Sequence, residues 1–240
     1  MPIFGLSDEL LFPPPWMAEP DGLLAVGGDL SRERLLLAYR SGIFPWYEEG
    51  QPILWWSPNP RMILVPSEIH IGKSLSRVIK RNEFDVAFDR DFPAVIRKCA
   101  DFRGPRRDGT WITREMYDAY VALHRAGYAH SVETWRDGVL AGGLYGISLG
   151  GCFFGESMFS EADNASKVAL AALAKRLHAE GFTLIDCQNH TPHLERLGAR
   201  EIFRKAFLAL LEDGLRARPT RRGSWTEPEA ARVDTAEARD

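Results

Sequence analysis

An α+β fold is predicted for this chain, and three observations predict it. Residues 128 to 159 read as three apolar strands in succession, joined by turns at Arg136-Asp137-Gly138 and Leu149-Gly150-Gly151. Ala165 to Glu180 then carries Leu170, Leu173 and Leu177 at helical spacing, and Gly181 stops it. The short run Thr183 to Cys187 and an amphipathic segment around Ala206 to Leu211 complete the order meander, helix, strand, helix.

Upstream of this block the chain changes character twice. Residues 1–62 are rich in proline, glycine and tryptophan and predict a small, loop-rich aromatic domain. Phe12-Pro13-Pro14-Pro15-Trp16 is expected to be extended, because each proline fixes its φ and restrains the residue before it. Asp29 or Ser31 can cap a helix through about Tyr39, which Ser41-Gly42 ends. Residues 63–214 form the expected main domain: Met62 to Pro66 as a strand, Ser74 to Arg81 as a helix, and a second helix opened by Thr113. Residues 215–240 are arginine-rich, then acidic, and predict a disordered tail.

Composition excludes several classes. The 240 residues carry a net charge of −3, so a nucleic-acid partner has to be met by a local basic patch. Such a patch is present between Ile71 and Arg107, where ten Lys/Arg face five Asp/Glu. Lys73, Arg77, Lys80 and Arg81 fall on one side of the predicted helix, and Arg103, Arg106 and Arg107 follow downstream. A solvated helix face explains the first group; two clusters together suit phosphate contacts. Three unevenly spaced cysteines, with no Cys-x-x-Cys pair, suggest neither a zinc site nor a disulfide framework. No apolar run approaches a membrane span and no leader is visible at the N-terminus, so a cytoplasmic location is expected.

Two acids stand out. Glu156 in Gly155-Glu156-Ser157-Met158-Phe159-Ser160 and Asp186 in Asp186-Cys187-Gln188 are expected at the C-terminal ends of two buried strands, where α/β proteins place chemistry. Two acids in a dry pocket are expected to repel each other and raise one pKa. A salt bridge at the core edge for Glu156, and a turn-capping carboxylate for Asp186, are the plain alternatives.

The strand order resembles the N-acetyltransferase-like fold. The loop before the long helix, Phe159 to Lys167, holds no glycine and two acids, which suits a CoA pyrophosphate poorly. Further motifs resemble the leucyl/phenylalanyl-tRNA–protein transferase family: Gly27-Gly28-Asp29-Leu30, Gly42-Ile43-Phe44-Pro45-Trp46, Trp56-Ser57-Pro58, Gly109 to Thr113, Gly155 to Ser160, Asn164-Ala165-Ser166-Lys167, Asp186-Cys187-Gln188 and Leu197-Gly198-Ala199. Any one is weak, but their shared order over residues 4–212 is specific.

That resemblance implies an enzyme that moves Leu or Phe, with Met as a further candidate, from aminoacyl-tRNA to proteins beginning with Arg or Lys, marking them for N-degron proteolysis. It implies no metal and no cofactor, because the aminoacyl ester is already activated. It assigns catalysis to Asp186, Gln188 and Glu156. The family's relay runs through Gln188 and Asp186, but a neutral amide is a very poor base, so Gln188 reads as an orienting group. The resemblance further implies that Leu144, Phe153, Gly155, Met158, Leu170, Leu173 and Ile185 line the amino-acid pocket. Trp111 would pack on the terminal adenosine, with Trp55 and Trp56 as alternatives, and Lys80, Arg81, Arg106 and Arg107 would meet tRNA phosphates. His190 and His193 tempt a catalytic reading, but the chain offers no nucleophile for them to activate. The rival readings are a CoA-dependent N-acetyltransferase and a non-catalytic RNA-binding module.

Overall fold

Frequent glycines and prolines keep the first strands short. The computed structural model describes residues 3–101 and 112–226, so Arg103, Arg106, Arg107 and Trp111 lie outside the described residues. β1 (Phe4–Leu6), β2 (Leu23–Gly27), β3 (Phe44–Pro45) and β4 (Leu54–Trp56) make a four-stranded sheet in the order β1-β2-β4-β3. The proline run is not extended throughout: Pro15–Met17 closes a 3₁₀ turn, which a proline in its first position suits. Between β2 and β3 lies α1 (Arg32–Arg40), capped by Ser31, whose Oγ accepts from the amide of Arg34. Gly42 follows at φ +73, with Phe207 and Leu208 so close that a side chain there would collide with them.

β5 (Arg61–Leu64) spans the expected division at 62/63 and belongs to the second sheet, whose order is β11-β5-β10-β9-β8-β7-β6. Its members are β6 (Asp85–Phe88), β7 (Ala129–Arg136), β8 (Val139–Leu149), β9 (Cys152–Ser160), β10 (Leu184–Gln188) and β11 (Arg200–Ile202). α2 (Lys73–Lys80), α3 (Phe92–Asp101), α4 (Arg114–Arg125), α5 (Ala165–Ala179), α6 (Pro192–Glu195) and α7 (Arg204–Ala217) surround it. The meander β7-β8-β9 is antiparallel, and β10 then pairs parallel with β9 after the α5 crossover, in the expected order meander, helix, strand, helix. The β7–β8 turn carries Asp137 and Gly138, both at positive φ.

Two apolar layers cover this sheet. Tyr39, Phe44, Tyr120, Tyr145, Phe154 and Phe207 share one core, which joins α1 to α4 and α7. Leu144, Phe153, Leu170, Leu173, Leu177 and Ile185 share the other, under α5. The alternation of Leu144 and Tyr145 between the two is the period-two pattern of a strand covered on both faces. Asn164, the residue before α5, sits at φ +68 and makes no capping bond; Ser160 Oγ instead accepts from the amide of Ser166.

The expected disorder from residue 215 is corrected by the packing up to residue 226. α7 runs on to Ala217, and Trp225 is 2% exposed. Its ring stacks on His130 at 4.0 Å, its amide donates to Asp89 Oδ2, and Arg176 donates to its carbonyl. One large aromatic side chain outweighs the polar composition around it.

Candidate active site

The parallel pair β9 and β10 stays in register only from Leu184↔Cys152 to Asp186↔Phe154. Beyond that point the two strands are no longer paired, and each carries an irregularity. In β9 the pairing with β8 skips from Tyr145↔Ser157 to Gly146↔Gly155, so Glu156 is the extra residue of a bulge. Gly146 opposite it has no room for a side chain, since a Cβ would lie 2.1 Å from the Phe154 carbonyl oxygen. In β10 the pairing with β5 skips Cys187, and Gln188 adopts φ +62. Glu156 is therefore mid-strand, not at a strand end as its sequence context suggested. Such bulges re-aim a side chain, and here they turn Glu156 and Gln188 toward each other: Gln188 Nε2 donates to Glu156 Oε1 at 2.9 Å.

A cavity of about 430 Å³ opens at this split. It brings together the seven pocket candidates Leu144, Phe153, Gly155, Met158, Leu170, Leu173 and Ile185 with Glu156 and Gln188. Phe44, Pro45 and Trp46 add a wall from the first sheet, and Asn189, Thr191, His193 and Leu194 another from the turn after β10. Trp46 is 43% exposed at this wall, with Trp56 beside it at 5.6 Å and donating to its carbonyl. Trp55 is wholly buried, and neither it nor Trp56 lines the cavity.

Asp186 is placed differently from Glu156. It is fully buried behind the cavity, and Arg61 donates to both of its oxygens, at 2.8 and 2.7 Å. The Arg61 guanidinium lies between the rings of Phe44 and Phe207, 4.8 and 4.5 Å from their centroids, and also donates to the Gly42 carbonyl. Asp186 Oδ1 accepts in addition from the amide of Gln188, which fixes the turn that points Gln188 forward. Its carboxylate thus has its partners inside the protein.

Glu156 is 9% exposed and has the hydroxyls of Tyr39 and Tyr120 at 2.8 and 2.9 Å, one on each oxygen. Its pKa is pushed up to about 7, first by burial; Tyr39, Tyr120 and Gln188 oppose the rise, and the Asp186 charge adds to it last. The expected mutual repulsion of two acids is thus a lesser cause, because Arg61 offsets Asp186. His193 lines the cavity with its Nε2 unpartnered among the described residues, and burial together with the nearby Lys167 and Arg196 holds it below the usual imidazole range.

The basic candidates Lys80 and Arg81 are exposed at the end of α2, beside Arg77 and on the helix that packs against α5. Lys167 and Arg196, near His193, are cations that local sequence does not single out, although Lys167 closes the run Asn164-Ala165-Ser166-Lys167. Tyr39, Tyr120 and Arg61 were missed as well, since their spacing reads as core or as a strand start.

A family model described as leucyl/phenylalanyl-tRNA protein transferase matches residues 63–212, and that family's N-terminal domain matches residues 28–59. The chain belongs to the leucyl/phenylalanyl-tRNA–protein transferase family. It is an aminoacyltransferase by that membership. A leucyl/phenylalanyl-tRNA–protein transferase of Syntrophobacter fumaroxidans is 60% identical over 90% of this chain and 92% of its own. One of Syntrophus aciditrophicus is 58% identical over 96% and 97%. Among solved structures, L-PGS from Bacillus licheniformis aligns at 16% identity and a TM-score of 0.36, over 68% of this chain and 51% of that one.

Proposed function

We propose that this transferase joins leucine or phenylalanine, and also methionine, from aminoacyl-tRNA to the N-terminal α-amine of proteins that begin with arginine or lysine. The product carries a new N-terminal residue of the kind that directs a protein to proteolysis. The observation that carries the reading is a single cavity in which apolar walls meet a carboxyl titrating at about 7.

Each part has a physical task. Leu144, Phe153, Met158, Leu170, Leu173 and Ile185 receive an unbranched-at-Cβ apolar side chain, and Met158 adapts to an aliphatic or an aromatic guest. Trp46 offers an exposed ring on which the terminal adenine can stack, a contact worth about 1–3 kcal/mol. Lys73, Arg77, Lys80 and Arg81 supply charge for the phosphates beyond it, and Lys167 and Arg196, near His193, add two more cations.

The chemistry is attack of an amine on an ester. An α-amine has an ordinary pKa of about 7.7–8.0, so a carboxyl titrating near 7 is matched to take its proton. Glu156 is that group, and it also attracts the cationic acceptor before reaction. Gln188, fixed by Asp186 and bonded to Glu156, orients the amine or the carbonyl. Asp186 acts through Gln188. Aminoacyl-tRNA is a cytoplasmic substrate, and the reading assigns the enzyme to that compartment.

The test is direct. Leucyl-, phenylalanyl-, methionyl- and isoleucyl-tRNA are each incubated with peptides beginning with Arg, Lys or Ala, and products are weighed by mass spectrometry. Leucine, phenylalanine and methionine should be added to the Arg and Lys peptides only. Equal addition to the Ala peptide would overturn the acceptor assignment, and acetylation from acetyl-CoA in place of aminoacylation would overturn the donor.

A further inference from the structure

Three buried oxygens-bearing side chains from distant parts of the chain meet at one point: Tyr39 of α1, Tyr120 of α4 and Glu156 at the β9 bulge. Tyr39 lies 2.8 Å from Oε1 of Glu156, Tyr120 lies 2.9 Å from Oε2, and the two hydroxyls are in hydrogen-bond contact with each other. This is a closed ring with three oxygen–oxygen gaps. Two hydroxyls supply two protons.

Counting protons separates the two states of Glu156. When the carboxylate is ionised, two protons serve three gaps, and one pair of oxygens faces across a gap with no proton between them. When the carboxyl is protonated, Glu156 donates to Tyr120, Tyr120 to Tyr39, and Tyr39 to the other oxygen of Glu156. Every gap is then filled without moving a heavy atom, and each bond polarises the next. Burial and the Glu156 charge hold both tyrosines well above the usual phenol range, so the proton that comes and goes is the carboxyl's.

The surroundings agree. Tyr145 of β8 faces Glu156 and stays neutral, raised by burial and by the same charge; Cys99 of α3, beside Tyr145, is pushed up to about 12. Asp186 of β10 adds negative charge, offset by Arg61 of β5, and Gln188 donates to Oε1. Glu156 lines the cavity, whereas Tyr39 and Tyr120 stand behind it.

We propose that Tyr39, Tyr120 and Glu156 form a proton-storing ring for aminoacyl transfer, in which the two tyrosines are positioning residues and Glu156 exchanges the proton with substrate. The inference rests on the transferase reading above. The acceptor enters as R–NH₃⁺ and ends as an amide with one N–H, so two protons leave its nitrogen. One passes to Glu156, freeing the lone pair that forms the C–N bond. When the C–O bond of the ester breaks, the other goes to the ribose oxygen of the departing tRNA. The ring holds the surplus proton until it returns to solvent.

Two measurements test this. Infrared titration of the wild-type protein, labelled with ¹³C-carboxyl glutamate and compared with Glu156→Gln, should show one protonated glutamate band that E156Q lacks and that fades with a midpoint at about 7. A Glu156 that is ionised throughout the range from about pH 5.5 to 8.5 overturns the ring. In the second, Tyr39→Phe and Tyr120→Phe each remove a donor to the carboxylate, so the rising limb of kcat/KM against pH should move up by about one unit. A limb that stays put while only KM changes makes the tyrosines spacers. If a variant does not fold, the wild-type band still decides; if leucine transfer itself fails, the band titrates regardless, and the two failures are distinct.

Discussion

Asp186 and Arg61, 125 residues apart, form a two-pronged ion pair of which neither side chain is more than 1% exposed. Through it the Gln188 wall of the cavity is tied to the Gly42 carbonyl and, by ring stacking, to Phe44 of the mouth. The acid that looks most catalytic in the sequence is in this way a joint between two walls.

Removing one partner leaves a buried charge, which typically costs about 3–5 kcal/mol. Asp186→Ala should therefore lower the melting temperature strongly, and loss of transfer in that variant will not by itself report on chemistry. Replacing both partners, Arg61→Met with Asp186→Leu, should recover most of the melting temperature while transfer stays impaired, because Gln188 has lost the oxygen that fixes its turn. Full transfer by the refolded double variant would remove Asp186 from the mechanism.

Glu156 should also make stability depend on pH. Its pKa rises on folding from an ordinary 4.5 to about 7, with burial the main cause. The contribution is complete below about pH 4.5 and is lost as pH rises through about 7, since the folded state binds the proton more tightly. E156Q removes the penalty of ionising a buried acid, on the order of 3 kcal/mol. It should melt with the wild type near pH 5 and roughly 5–10 °C above it near pH 8.5. Identical differences at both pH values would show that this carboxyl does not titrate there.

The cavity wall sets amino-acid choice. Leu173→Phe adds an aromatic ring to a space of about 430 Å³ and should reduce phenylalanine transfer more than leucine transfer, by about tenfold or more in the ratio of kcat/KM. An unchanged ratio would mean that the side chain of the transferred residue sits elsewhere.

Phosphate contact by α2 predicts a salt effect. Lys80→Ala with Arg81→Ala should weaken aminoacyl-tRNA binding and flatten the slope of log K against log salt by about 1–2. Weaker binding with the full slope retained would point to a local structural defect.

Trp225 gives a stability test. Trp225→Ala opens a space beside His130, Phe153 and Phe182 and should cost about 3–5 kcal/mol. A melting temperature unchanged by that substitution would mean that the segment after α7 contributes nothing to the fold.

Much of the architecture was legible in local pattern. Period-two and period-3.6 spacing marked the meander, α5 and β10, and Ser31 and Thr113 cap their helices as side chains of that type do. The pocket candidates, carried over from motif resemblance, lie together because pairing sets Leu144 opposite Met158, and the bulge at Glu156 brings Met158 to the same face as Phe153, five positions before it. What was not legible depends on partners distant in sequence. Tyr39 and Tyr120 look like core aromatics until Glu156 is placed between them, and Trp225 sits in a stretch whose composition reads as solvated.

The residues by themselves determined the order meander, helix, strand, helix, the basic helix and the two acids, because propensity, capping and periodicity act over a few positions. Only the tertiary structure decided which acid meets the cavity. Arg61 neutralises Asp186 and draws it inward, while a bulge and the end of strand pairing turn Glu156 outward into a space dry enough to hold a proton near neutral pH. Desolvation and ion pairing depend on what surrounds a group in three dimensions, and no local run of sequence records that.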